Sequence, residues 1–223
     1  MATRRRGVKV KICCIASAEE ARLAIDHGAS AIGLVSEMPS GPGPIAESLI
    51  AEIAAGVPRD VDTFLLTCAQ DVDAVVGQRQ RTRVTTVQIC DDLPEGGLRK
   101  LRAALPGTTI VQVVHVDGQD AVTRAVALAP LVDAILLDSG NQKAAVKELG
   151  GTGRRHDWSI SRRIRDSVRV PVYLAGGLRA DNVAEAIATV DPFALDVCSG
   201  VRTDGNLDAS RLRAFFAAVR SVC

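Results

Sequence analysis

Cys13 and Asp138 each close a short apolar, β-branched run: Cys13 follows Val8-Lys9-Val10-Lys11-Ile12, and Asp138 follows Ala134-Ile135-Leu136-Leu137. In an extended strand alternate residues share a face, so Cys13 lies on the side of Lys9 and Lys11. Nearby cations favour the thiolate, the form of Cys13 that takes up a proton. At the end of a buried strand Asp138 has its charged form disfavoured, so its pKa rises and it retains a proton to donate. Together they read as a base and an acid. His115 ends another such run and is a candidate for the same site, whereas His27, beside Gly28, falls at a helix C-terminus, where a cation suits the dipole. A zinc or copper cluster on Cys13, Cys90, His115 and Asp138 is the other chemistry that these residue types allow. The cysteines at 13, 14, 68, 90, 198 and 223 show neither a CxxC pair nor the Cys/His spacing of structural zinc. They are read as free thiols, and no metal is expected.

Glycine supplies the second group of candidates. Gly150-Gly151-Thr152-Gly153, Ala175-Gly176-Gly177 and Cys198-Ser199-Gly200-Val201 all occur late in the chain, each after a candidate strand. Backbone N–H groups in such turns approach a phosphate closely because no Cβ intervenes.

These residues need a scaffold that brings strand ends together. Eight β-branched runs alternate with amphipathic segments: Val8 to Ile15, Ser30 to Val35, Asp62 to Thr67, Val84 to Cys90, Thr109 to Val116, Asp133 to Asp138, Val170 to Ala175 and Ala194 to Cys198. Helices are predicted to start near Ser17, Ile45, Asp71, Leu93, Gln119, Ser159, Asp181 and Asp208. This predicts an α/β fold, a (β/α)8 TIM barrel in which 223 residues form one domain, with a flexible terminus over 1–7. A doubly wound sheet would place its glycine-rich turn after the first strand, where this chain reads Cys13-Cys14-Ile15-Ala16. Pro39 to Pro44 is then a rigid loop at the barrel mouth, and Ser139 to Asp157, the longest connection, a lid over the same face.

Composition narrows the function classes. Hydrophobic residues are 47%, and 27 basic against 26 acidic side chains leave a net charge of +1, which excludes a mainly disordered chain. No apolar run approaches the ~18 residues of a membrane span, and Met1 to Arg6 lacks an apolar signal core, so a cytoplasmic protein is predicted. Aromatics at 3% and near-neutral charge argue against a nucleic-acid surface and leave a small anionic ligand.

Several motifs in order resemble the phosphoribosylanthranilate isomerase family of tryptophan biosynthesis. They are Lys11-Ile12-Cys13, Gly28-Ala29 with Ala31-Ile32-Gly33, Leu136-Leu137-Asp138-Ser139, Gly150-Gly151-Thr152-Gly153 with Asp157-Trp158, Leu174-Ala175-Gly176-Gly177-Leu178 with Asn182-Val183, and Asp196-Val197-Cys198-Ser199-Gly200-Val201. The resemblance covers nearly the whole chain and implies a ribulose-phosphate-binding barrel. Its reaction is an Amadori rearrangement of an N-ribosyl amine phosphate, without metal or cofactor, in a monomer or homodimer. By motif, Cys13 is the implied general base and Asp138 the general acid. Gly151, Thr152, Gly153, Gly176, Gly177, Ser199 and Gly200 are the implied phosphate site, with Lys11, Gln88, Cys90, His115, Arg154 and Arg155 near the rest of the substrate.

Three positions depart from the family pattern. Gly43 stands where the family's Ser-Pro-Arg turn carries the Arg that pairs with the anthranilate carboxylate, Cys90 where Gln-x-His ends the fourth strand, and Cys14 where a Gly follows the catalytic Cys. All three fall on the amine side of the substrate. They point either to a compensating cation, with Arg154 and Arg155 the nearest candidates, or to a paralogue that takes a different phosphosugar amine. A non-catalytic phosphometabolite-binding protein is the reading from another class.

Overall fold

The computed structural model describes residues 7–140, 149 and 153–222. Eight parallel strands close into a barrel in sequence order: β1 (Lys9–Ile12), β2 (Ala31–Val35), β3 (Asp62–Thr67), β4 (Thr86–Ile89), β5 (Thr109–His115), β6 (Ala134–Asp138), β7 (Val172–Leu174) and β8 (Ala194–Val197), with β8 pairing back onto β1. The helices are α1 (Ala18–Asp26), α2 (Glu47–Ala55), α3 (Val72–Thr82), α4 (Gly97–Ala104), α5 (Asp120–Leu128), α6 (Trp158–Ser167), α7 (Val183–Val190) and α8 (Ala209–Arg220). This is the (β/α)8 barrel expected from the sequence.

Local chemistry sets the boundaries. Ser17, Asp71, Asp157 and Asp208 each accept a hydrogen bond from an amide in the first turn of the helix that follows, satisfying donors that the helix itself leaves free. The first strand was expected to reach Ile15 but ends at Ile12, because Cys14 takes a left-handed φ of 61° that turns the chain away from the ladder. β7 is shorter than Val170 to Ala175 because Pro171 has no N–H to give to the ladder.

Two apolar layers hold the barrel. The outer one lies between strands and helices, where Ile12, Leu34, Leu65, Leu101, Ile164 and Phe215 are fully buried, each contributing about 2 kcal/mol relative to exposure. The inner one fills the barrel with Ala31, Phe64, Val111, Ala134, Tyr173 and Ala194, Phe64 meeting Tyr173 edge-on at 5.7 Å. Above this plug the interior becomes polar, with Lys11, Gln88, Asp138 and Asp196 all buried. That polar layer is the floor of the site. Among the described residues no helix is long and apolar enough to cross a membrane.

Candidate active site

The C-terminal ends of the strands open into a cleft lined on one side by Cys13, Asp138 and Asp196 and on another by Gly153, Gly176, Gly177 and Ser199. Catalytic groups of a (β/α)8 barrel sit at this face, since every βα loop converges there.

Cys13 is the first residue after β1, and space for it comes from β2. A Cβ on Gly33 would lie 2.9 Å from Cys13 Sγ and 3.1 Å from Lys11 Nζ, so only glycine there admits both side chains. Lys11 Nζ lies 3.6 Å from Cys13 Sγ and 2.8 Å from Asp196 Oδ2. Burial works against the Lys11 charge, but Asp196 and Cys13 outweigh it and hold the lysine above its ordinary range, so Lys11 remains a cation beneath the thiol. Lys9, the other cation expected on this face, points to the opposite end of the barrel, where its Nζ lies 5.4 Å from the Phe193 ring centroid.

Asp138 ends β6, opposite its register partner His115 on β5. Its Oδ1 accepts the Ser139 amide at 2.7 Å. Burial, with Asp196 adding to it, pushes its pKa up to about 6, so about half of it is protonated at pH 6 and about a tenth at pH 7. An acid and a thiol with a cation beside it thus face one cleft.

The glycine loops are tied backbone to backbone. A Cβ on Gly200 would fall 1.9 Å from Leu178 O, and one on Gly177 would fall 2.9 Å from Gly153 O. Gly176 and Gly177 are both left-handed, with φ of 82° and 63°, and among the described residues their amides donate to no protein acceptor. Free, successive amides in this conformation form an anion-binding concavity. Gly151 and Thr152 lie outside the described residues, as does most of the Ser139 to Asp157 lid.

The remaining candidates divide. Gln88 and Cys90 line the cleft. His115 instead turns its Nε2 to Cys90 O at 3.3 Å, and burial pushes its pKa down. Among the described residues no group of His, Cys, Asp and Glu is arranged to hold a metal, so Cys90 and His115 do not complete a cluster with Cys13 and Asp138. Arg155 pairs with Glu185 at 2.8 Å and stacks on Trp158 at 3.5 Å. With Arg154 it borders a separate hollow beside Ser139 and His156, and neither arginine is among the residues that line the cleft. Sequence reasoning missed Asp196 as a site residue. Two opposite charges, Lys11 and Asp196, each within a short strand among β-branched and aliphatic residues, were the available signal, since buried charges occur in pairs.

Fold and cleft define a (β/α)8 barrel whose strand ends gather a buried carboxyl, a thiol and glycine-rich loops around one cleft. The comparisons give the family. The sequence model of N-(5'phosphoribosyl)anthranilate (PRA) isomerase matches residues 10–218. The N-(5'-phosphoribosyl)anthranilate isomerase of Haloferax volcanii is 37% identical over 215 residues, 96% of this chain and 93% of the relative, and that of Methanosarcina acetivorans is 32% identical over 228 residues, 95% and 93%. The crystal structure of phosphoribosyl anthranilate isomerase from Thermotoga maritima superposes with a TM-score of 0.82 at 28% identity, over 96% of this chain and 99% of that one. The chain belongs to the N-(5'-phosphoribosyl)anthranilate isomerase family.

Proposed function

We propose that the cleft carries out the Amadori rearrangement of N-(5-phosphoribosyl)anthranilate to 1-(2-carboxyphenylamino)-1-deoxyribulose 5-phosphate, an aldose–ketose isomerisation, in the cytoplasm. The observation that carries this reading is the pairing of a protonatable Asp138 with Cys13 above Lys11 on one cleft wall. Membership of the family, whose relatives bear the isomerase name over almost their full length, supports it. So does the structure of such an isomerase in complex with reduced 1-(o-carboxyphenylamino)-1-deoxyribulose 5-phosphate, which superposes with a TM-score of 0.80 at 26% identity over 96% of this chain and 99% of that one.

Asp138 gives its proton to the furanose oxygen as the C1–O bond breaks, and the nitrogen lone pair forms the C1=N iminium. The iminium acidifies the C2 hydrogen. Cys13 removes that proton as thiolate, and the C2–H electrons move to give the enolamine. Protonation at C1 with loss of the C2 hydroxyl proton then yields the aminoketose. The amides of Gly153, Gly176, Gly177, Ser199 and Gly200, with those of Gly151 and Thr152, hold the phosphate, so the reacting carbons stay between acid and base. Asp196 Oδ1 and Gln88 Oε1, buried without a protein partner among the described residues, are acceptors for the sugar hydroxyls.

Turnover of freshly generated phosphoribosylanthranilate, followed by anthranilate fluorescence, tests this. Wild type turns over, while Cys13→Ser and Asp138→Asn fall by ~10²–10⁴-fold. No turnover by a folded protein that a ribulose phosphate analogue still stabilises would overturn the anthranilate assignment.

One observation favours a second reading. Among the described residues the cleft lining holds no Arg, Lys or His, and its wall near β2 and β3 is Val35, Met38, Pro42 and Leu66. This suits a phosphoribosyl amine without a carboxylate, and turnover of such an amine in place of the anthranilate compound would select it.

A further inference from the structure

Three sulfur atoms meet where the loop after β1 touches the loop after β8. The thiols of Cys14 and Cys198 lie 2.8 Å apart, and Cys13 adjoins Cys14 on its other side. Both Cys14 and Cys198 line the cleft, so a small solute that enters it reaches them. A disulfide needs about 2.05 Å between sulfurs, so a short approach closes the bond. The two loops are already fastened side by side. Arg202, just beyond β8, donates from Nη2 to Cys14 O at 2.5 Å and to Cys13 O at 3.3 Å, and pairs with Glu20 of α1 at 2.8 Å.

We propose that Cys14 and Cys198 are a redox-active dithiol, which a peroxide entering the cleft oxidises to a disulfide joining the β1 and β8 loops.

The two sulfurs have different roles. Cys198 is held below the ordinary thiol range by its hydrogen bond with Cys14 and by the Arg202 guanidinium, against the effect of burial. Cys14 is held well above that range by its hydrogen bonds with Cys13 and Cys198 and by burial. Cys198 is therefore the nucleophile and Cys14 the resolving thiol. The Cys198 thiolate attacks one peroxide oxygen, the O–O bond breaks, and hydroxide leaves; the hydroxide takes up the proton that Cys198 had released. The Cys14 sulfur then attacks the sulfenic sulfur, and the departing hydroxyl leaves as water with the Cys14 proton. In sum, two thiols and one hydrogen peroxide give one disulfide and two waters. The cross-link spans most of the chain, so it restricts the unfolded state and raises the melting temperature.

The test is treatment with hydrogen peroxide, quenching, blocking of remaining thiols, and intact-mass and tryptic analysis. The expected result is a protein that carries two blocking groups fewer than the untreated one, a difference that dithiothreitol before blocking abolishes. A cross-linked peptide then joins residues 12–22 to 180–202, with a higher melting temperature. Cys13→Ser retains that peptide, which excludes a Cys13–Cys198 bond, whereas Cys198→Ser and Cys14→Gly lose it. A bond within 12–22 alone, oxygen addition at Cys198 without cross-linking, or persistence of the cross-link in Cys14→Gly would overturn the proposal. Because the readout is mass and not turnover, it stands or falls separately from the isomerase reading.

Discussion

Lys11 Nζ lies 2.8 Å from Asp196 Oδ2 inside the barrel, with side-chain exposures of 0% and 7%, and the same ammonium reaches Cys13 Sγ at 3.6 Å. A buried pair is costly to break from one side, because the remaining charge has neither water nor partner. Lys11→Met therefore destabilises by ~3–5 kcal/mol in urea unfolding, and adding Asp196→Leu recovers part of that loss. Equal destabilisation in single and double variants would show that the pair is not what the lysine holds. Activity falls in both variants, since Cys13 loses the cation beside it.

Asp138 gives a pH prediction of opposite sign to the usual carboxylate. Its folded pKa, raised by burial to about 6, exceeds the ordinary value of 3.8, so the folded state holds the proton more tightly than the unfolded one. Its contribution to stability is thus full below pH ~4 and is lost as pH rises to about 6, by up to ~3 kcal/mol. Asp138→Asn cannot ionise and removes this fall. Melting temperatures of the two proteins converge at low pH and separate above pH ~6 with the variant higher. If wild type instead becomes the more stable of the two as pH rises, the burial argument fails. As general acid, Asp138 also makes activity decline above pH ~6.

Strand number and order were legible because every strand alternates with an amphipathic helix. Asp138, predicted to keep a proton from its place at a strand end, is buried and shifted as that reasoning requires. The limits lay where side-chain direction decides. Lys9 and Lys11 share a period-two face, but one points to each end of the barrel, and the sequence carries no sign of which is at the site. Arg155 is near the cleft in sequence, but Trp158 and Glu185 one turn and one helix away draw it elsewhere. The Cys14–Cys198 contact spans 184 positions and follows only from barrel closure through β1 and β8.

Gly43 and Cys14 are linked by packing. Gly43 has a φ of 89°, and a Cβ there would sit 2.7 Å from Cys14 Cβ. Cys14 itself is left-handed at 61°. A side chain at 43 meets both strain and a clash, so Gly43→Arg costs ~2 kcal/mol or more alone. Cys14→Gly removes the clash and the backbone strain at 14, and should stabilise by up to ~1 kcal/mol. The double variant is then less destabilised than the sum of the singles, a coupling that thermal or urea unfolding of all four proteins measures. Additivity would mean that the two loops adjust independently.

Gly200 tests the phosphate cradle at a distance from the acid and base. Its Cβ position is 1.9 Å from Leu178 O, so Gly200→Ala pushes the loop after β8 away from the loop after β7. The amides on the two loops then no longer converge on one anion. Phosphate is remote from the bonds that change, so its contacts are made in ground state and transition state alike, and their loss appears mainly in KM. KM rises by about tenfold or more, corresponding to ~1.4 kcal/mol, while kcat changes less. Inorganic phosphate, as a competitive inhibitor, weakens in parallel. A variant whose kcat falls while phosphate inhibition is unchanged would place the anion elsewhere in the cleft.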